Sequence, residues 1–294
     1  MANQQDVNTA VSAIDEVWNN PPARNGLFGN ALRSIRVNGI RGLDIEIEFA
    51  WPVIAIGGIN GSGKTTLLQL CSSAYTKHGS GARHFTLGRW IGQSFDAVGE
   101  TPTIESDASL LYQFIDETPS LRVDYQSERT RWGYPRRGNP ERNVDFVGIA
   151  NFAPRIEKVD RTHQNRTRLE VRSTQTLQDR VVESISRILG NPYEAVEFHT
   201  VSAPNAAWTD EIPQLARNGV SYTESHMGAG EQKLVRLVRH LESLPKKSLV
   251  LLEEPELTLH PDAQYGLAWY LMTLAKRQGH QIVVATHSGA IFEA

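Results

Sequence analysis

The sequence holds a single cysteine, Cys71, among 294 residues. That excludes an internal disulfide framework and any zinc site built on several thiolates. No apolar run approaches the roughly 18–20 residues that a membrane helix needs. The opening residues, MANQQDVNTAV, lack the basic start and apolar core of a signal peptide. Neither charge sign dominates: 30 Lys and Arg against 33 Asp and Glu give a net charge of −3. A wholly basic nucleic-acid coat is therefore excluded, although a local basic patch is not. There is no long heptad pattern, which excludes coiled coils of great length. What remains is 40% hydrophobic and 21% charged, the composition of a soluble globular protein. The expectation is a cytoplasmic protein with no membrane partner.

Residues Asp6 to Trp18 set Val7, Ala10, Val11, Ile14 and Val17 at helical spacing, and Asn19-Asn20-Pro21-Pro22 ends the pattern. This helix either packs on the main domain or docks a partner. Leu43 to Phe49 alternates apolar and acidic residues, as a half-exposed strand does. Val53 to Ile56 is a continuous apolar run, which predicts a strand buried on both faces. From about Ala74 to Arg217 the pattern loosens into glycine, proline, arginine and short strand-like pieces. Beyond Gly228, apolar Leu234, Leu237, Val238 and Leu241 predict a helix leading to a strand at Ser248–Leu252. A second helix opens at Pro261, carries Lys276 and Arg277 in its last turn, stops at Gly279 and leads to a strand at Gln281–Thr286. Strand-helix-strand order predicts an α/β fold with a mostly parallel sheet and helices on both faces. The expected organisation is an N-terminal helix over 1–22, a lobe over 23–75, an irregular arm-like insertion over 76–217, and a closing part over 218–294.

Gly58-Ile59-Asn60-Gly61-Ser62-Gly63-Lys64-Thr65 fits G-x-x-x-x-G-K-[ST], between an apolar strand and a helix that begins near Thr66. Glycines let backbone N–H groups turn onto phosphate oxygens where a side chain would clash. The helix N-terminus adds partial positive charge. Lys64 supplies a full charge for β- and γ-phosphates, and the Thr65 hydroxyl can ligate Mg²⁺. The motif implies binding of a nucleotide such as ATP, not the use made of it.

The run Ser-Leu-Val-Leu-Leu-Glu253-Glu254-Pro255 is an apolar strand ending in two carboxylates. Glu253 is the candidate Mg²⁺ ligand, and Glu254 is the candidate base that orients and deprotonates water. His287, after another apolar strand, can hydrogen-bond a γ-phosphate.

Four runs thus stand in order: GINGSGKTT, HMGAGEQKL, LVLLEEPELTLHP and VVATHS. This order resembles the P-loop NTPase head of ABC-type ATPases. The second run is similar to that family's signature, here Met227-Gly228-Ala229-Gly230-Glu231-Gln232. The resemblance assigns nucleotide contact to Gly228, Gly230 and Glu231. Gly228 stands where the family's serine usually sits, so one hydroxyl contact to the γ-phosphate has no counterpart. The EPELTLHP run resembles the OLD-like and RecF/SMC-like branch rather than transporter ATPases. Val37-Asn-Gly-Ile-Arg41-Gly42 is similar to an N-F-R-G element of that branch, which implies that Arg41 lies near the nucleotide. The family's glutamine loop has two candidates, Gln93 and Gln113.

In such heads, the signature of one protomer caps ATP held by the other. The resemblance therefore implies an ATP-dependent homodimer. It also implies a partner nuclease of HNH or TOPRIM type, as in OLD, Septu or retron-associated antiviral defence. The sequence itself has no D-x-D, H-N-H-like cluster or paired-cysteine site for a nuclease centre. It runs seven residues past His287, whereas such heads normally continue with another strand, present elsewhere or supplied by a partner.

Residues 121–180 hold thirteen Arg and Lys against eight Asp and Glu, an excess of +5. Within them, Arg129-Thr-Arg131-Trp132-Gly-Tyr134-Pro-Arg136-Arg137 interleaves arginine with aromatics. DNA contact through phosphates and stacked bases is one reading, and a solvated or protein-docking surface is the other. Besides nuclease regulation, two functions stay open: a RecF-like DNA repair clamp, and an ATP-locked scaffold with little turnover. A transporter subunit is disfavoured.

Overall fold

The computed structural model describes residues 1–92, 103–152, 162 and 165–294. Its centre is a four-stranded parallel sheet in the order β3-β13-β12-β7. Strand β3 is Val53–Ile56, β7 Val144–Val147, β12 Leu249–Glu253 and β13 Gln281–Ala285. All three pairings are parallel. Alternation along the buried strands divides the apolar core in two. Val250, Leu252, Ile282 and Val284 face one cluster, with Ile14 of helix α1 (Gln4–Trp18). Leu249, Leu251, Val283 and Ala285 face the other, with Leu67, Leu68 and Cys71 of helix α3 (Lys64–Ser72). Helices thus cover both faces, as the sequence predicts.

The N-terminal helix begins with a capping box at Asn3 and Asp6, whose side chains satisfy each other's backbone N–H groups. Trp51 fixes α1 to the domain by donating its indole N–H to Asp15 at 2.8 Å. A short helix α2 (Pro21–Phe28) follows the proline pair instead of a loop. The helix stays on the main domain, and Val7, Ile14 and Trp18 are buried there.

Two expectations are corrected. Strand β3 is only half-buried, because it pairs with β13 alone and forms the sheet's edge. The middle segment is also far more regular than its loosened pattern suggests. Strands β1 (Leu32–Ile40) and β2 (Leu43–Glu48) join β4 (Ile104–Phe114), β5 (Leu121–Gln126) and β6 (Arg131–Gly133) in one antiparallel sheet, ordered β2-β1-β4-β5-β6. A short helix α4 (Leu87–Trp90) lies before β4. The strands β8 (Glu170–Thr176), β9 (Ala195–Ser202), β10 (Asp210–Arg217) and β11 (Val220–Thr223) form another, ordered β11-β10-β9-β8. Helix α5 (Asp179–Leu189) lies between β8 and β9. Strand β8 carries no apolar stripe, β6 has three residues, and β1 pairs with β4 from far along the chain, so local periodicity under-reports them. The parallel part is accordingly a core flanked by antiparallel sheets.

Strand β7 forms the other edge of the parallel sheet although it comes from this middle segment. Arg142, just before it, is 2% exposed and donates to the Phe28 carbonyl at 2.8 Å and the Ser248 carbonyl at 3.3 Å. A buried guanidinium is tolerated only when its donors find such acceptors. Those two bonds lock the middle of the chain to both halves of the fold.

The closing part follows its predicted course. Helix α6 (Ala229–Ser243) buries Leu234, Leu237, Val238 and Leu241. Helix α7 (Pro261–Gln278) starts with Pro261 at its first turn and ends at Gly279, left-handed at φ 69°. A final short helix α8 spans Gly289–Glu293.

Candidate nucleotide site

The phosphate loop joins β3 to α3. Gly58, Gly61 and Gly63 have φ of 154°, 80° and 93°, backbone that L side chains rarely adopt. A Cβ at Gly58 would also lie 2.6 Å from Ser62 Oγ. This loop can only be built with glycine, and its reward is a row of backbone N–H groups free of side chains. Asn60 and Ser62 lie exposed within it. Lys64 Nζ donates to the carbonyls of Gly58 at 2.8 Å and Ile59 at 3.1 Å, so its charge sits folded over the loop. Arg41, itself left-handed at φ 50°, donates to Thr66 Oγ1 at 3.2 Å, to Gln69 at 3.3 Å and to the Trp90 carbonyl at 2.9 Å. Arg41 is therefore fixed beside the start of α3.

Parallel strands bring their carboxyl ends to one rim, where ligands of such sheets bind. Thr65 Oγ1 and Glu253 Oε1 are in direct hydrogen-bond contact there. Two hard oxygens of this kind, one carboxylate and one hydroxyl, fit Mg²⁺ with its remaining positions on water and phosphate. Next to them, Glu254 Oε1 lies 3.5 Å from His287 Nε2. Glu254 has φ 45°, left-handed backbone for a non-glycine residue, which turns its side chain away from the strand's alternation. Both adjacent carboxylates thus reach the same rim.

The signature run forms the N-terminus of α6. Gly228 is its N-cap, and a Cβ added there meets nothing within 4 Å. Gly230 is the opposite case. A Cβ on it would lie 2.5 Å from the Thr258 carbonyl oxygen, so α6 and the turn after β12 pack backbone to backbone. Glu231 Oε1 accepts from the Tyr193 hydroxyl at 2.5 Å and the Tyr222 hydroxyl at 2.8 Å. Burial, reinforced by that carboxylate, holds the Tyr193 hydroxyl protonated well above its ordinary value. Glu231 is thus engaged within its own chain, bracing the loop before α6.

Several residues escaped sequence reasoning. Glu256 is 5% exposed, and its Oε1 accepts from the Thr286 hydroxyl and from the His287 N–H at 3.0 Å. It holds the backbone on which His287 stands. Lys233, 6% exposed, donates from Nζ to the Glu254 carbonyl at 3.0 Å. The loop after β7 borders the Thr65–Glu253 pair: a Cβ on Gly148 would lie 3.6 Å from Glu253 Oε2, and Asn151 Oδ1 accepts from the Gly148 N–H at 3.0 Å. No sequence signal singles out this loop: Val144-Asp145-Phe146-Val147 is short and broken by an acid. Of the two glutamine-loop candidates, Gln93 lies outside the described residues. Gln113 sits on β4, where its Oε1 accepts from Ser34 Oγ at 3.0 Å.

In the basic segment, arginines and aromatics part company. Arg129, Arg131, Arg136 and Arg137 are exposed. Trp132 and Tyr134 instead pack against the core, Trp132 with its centroid 5.2 Å from that of Tyr125 and Tyr134 under the Arg83 guanidinium at 3.6 Å. Rings committed to the core leave the exposed arginines as the groups able to meet phosphate there.

Sheet, glycine loop and acidic rim together are those of a P-loop ATPase. Residues 142–292, just over half of the chain, match the family described as AAA ATPase domain, and the chain belongs to that family. In solved structures, the SMC head domain from Thermotoga maritima superposes with a TM-score of 0.52 at 16% identity, covering 90% of this chain and 91% of that one. An SMC head bound to the C-terminal winged-helix domain of ScpA gives 0.52 at 13% identity, with the same coverage. These likenesses are of fold. The Old nuclease of Escherichia phage P2 is 31% identical over 80 residues, which are 24% of this chain and 14% of that protein. Among the described residues, no helix is long and apolar enough to cross a membrane.

Proposed function

We propose that this ATPase closes into a homodimer around ATP and, in doing so, regulates a nuclease effector in prokaryotic antiviral defence. The observation that carries the dimer is the character of the rim. Ile59, on the phosphate loop, is 81% exposed, and Leu257, three residues past Glu254, is 38% exposed. Apolar side chains beside a charged site are costly to leave in water and are covered by a second copy of the same face. The open space at Gly228 leaves the N-terminus of α6 free to meet a nucleotide held by that copy. The similarity to the Old nuclease supports the nuclease link, and the defence role rests on the resemblance carried by the EPELTLHP run.

In the chemistry we propose, Lys64 and the loop N–H groups bind the β- and γ-phosphates, and Arg41 steadies the first turn of α3. Mg²⁺, held by Thr65 and Glu253, would neutralise charge between the phosphates. Glu254 takes the proton of the attacking water, and His287 hydrogen-bonds the γ-phosphate. The loop carrying Asn151 occupies the border of Glu253 and takes the role that the resemblance gave to a glutamine.

The test is a pull-down from the native host with tagged Glu254→Gln protein and ATP, read by mass spectrometry. A stoichiometric nuclease is the expected result. Recombinases or nucleic acid alone would move the function to a RecF-like clamp. That second reading rests on the exposed arginines of the basic segment. Changing Arg136 and Arg137 together to Glu is expected to weaken duplex DNA binding and flatten its salt dependence. Unchanged affinity in a fluorescence-anisotropy titration would return the segment to a solvated surface.

A further inference from the structure

Helix α6 touches two sites. Its amino end, at Gly228–Glu231, is the signature face. One turn further on, Lys233 reaches the turn that carries the proposed base of its own protomer. The Glu254 peptide is pinned from both sides. Its N–H donates to the Ala285 carbonyl at 2.8 Å, and its carbonyl accepts from Lys233 at 3.0 Å. Left-handed backbone at a non-glycine residue costs about 1–3 kcal/mol and persists only where its surroundings hold it. Lys233 is one of three groups on the Glu254 backbone that do so, with the Ala285 carbonyl and the Leu257 N–H, which also donates to the Glu254 carbonyl, at 3.2 Å.

The same ammonium lies in the field of Glu256, whose Oε2 is buried and without a hydrogen-bond partner. Glu256 in turn holds Thr286 and His287 through Oε1. Gly230 lets the backbone of α6 pack closely against Thr258 in that turn, where a Cβ would lie 2.5 Å from the Thr258 carbonyl oxygen. Lys233 therefore stands between the signature face, the base Glu254 and the switch residue His287.

We propose that Lys233 is a positioning residue that couples the two ATP sites of the dimer. ATP held by the partner engages the amino end of α6. Lys233 transmits that engagement to the Glu254 peptide, which aims the carboxylate of its own site. This rests on the dimer reading given above. It assigns Lys233 no contact with nucleotide, so ATP affinity should not depend on it.

The experiment follows hydrolysis against ATP concentration, with ATP binding and dimerisation measured in parallel, for the full chain and for Lys233→Met and Lys233→Arg. The wild type is expected to be cooperative, with a Hill coefficient above unity. Lys233→Met is expected to keep ATP affinity and the ATP-dependent dimer, to lose roughly 10- to 100-fold in kcat, and to fall to a Hill coefficient of unity. Lys233→Arg, which can still donate to the Glu254 carbonyl, is expected to recover most of both. Should Lys233→Met misfold, the pair Lys233→Met with Glu256→Gln removes both buried charges, keeps the acceptor for Thr286 and His287, and is expected to show the same loss of cooperativity. Unchanged kcat and Hill coefficient in a dimeric variant would overturn the coupling alone. A wild type that stays monomeric with ATP would overturn the dimer reading and the coupling with it. A loss of ATP affinity in Lys233→Met would also overturn it, by making Lys233 a support of the binding site.

Discussion

Lys64→Ala is expected to weaken ATP binding at least about 100-fold, measured by calorimetry or by titration of a fluorescent ATP analogue. Charge-assisted hydrogen bonds contribute about 1.5–3 kcal/mol each, and every 1.4 kcal/mol is tenfold in affinity. Lys64 can offer such bonds to two phosphates at once. Its Nζ already lies over the loop, on the Gly58 and Ile59 carbonyls, so little reorganisation separates the resting position from the binding one. Alanine also removes two bonds that hold the loop closed, which adds an ordering cost on binding. Thr65 and the glycine backbone remain, so residual Mg²⁺-dependent affinity in the high-micromolar range or weaker would be consistent. Affinity within threefold of wild type would refute the assignment of residues 58–65 as the phosphate site. An unchanged melting temperature in the absence of ATP is the matching control, because the side chain's polar contacts are confined to the loop itself.

The parts of this site that were legible in the sequence are those whose chemistry is local. A phosphate cradle needs positive φ at fixed offsets, so Gly58, Gly61 and Gly63 announce themselves. Helices α6 and α7 announce themselves through apolar spacing, the proline at 261 and the glycine at 279. Illegible parts depend on which neighbours the fold brings together, whether near in sequence or far. Nothing in Val144–Val147 says that it will pair with Leu249–Leu252 and bring Gly148 beside Glu253. Lys233 reads as a solvated helix residue until the turn of β12 closes over it. Trp132 and Tyr134 alternate with arginines as a stacking platform would, yet their half-buried rings pack against the core while the arginines stay outside. The expectation for Glu231 is a nucleotide contact, and its Oε1 also accepts from the hydroxyls of Tyr193 and Tyr222, which the sequence does not announce. In each case a side chain's partner, rather than its type, decides its role.

Glu254→Gln is expected to leave ATP binding intact, to slow hydrolysis by about 10²- to 10⁴-fold, and to hold the protein as a dimer with ATP through gel filtration. The amide keeps the size and the left-handed setting of residue 254, and the three backbone anchors of that residue, Ala285, Lys233 and Leu257, stay in place. What it loses is the ability to accept a proton. Its contact partner His287, at 3.5 Å, keeps its own support from Glu256, so the γ-phosphate side of the site is undisturbed. Phosphate release and ATP-dependent elution volume, measured on the same preparation, separate the three functions that the sequence left open. A wild type that hydrolyses and a variant that stays dimeric mark a switch reset by turnover. A wild type as slow as the variant marks a scaffold locked by ATP, in which the missing hydroxyl at Gly228 is the first residue to restore. Turnover that rises with duplex DNA only in the wild type marks a clamp on DNA, with Glu254 as its timing residue.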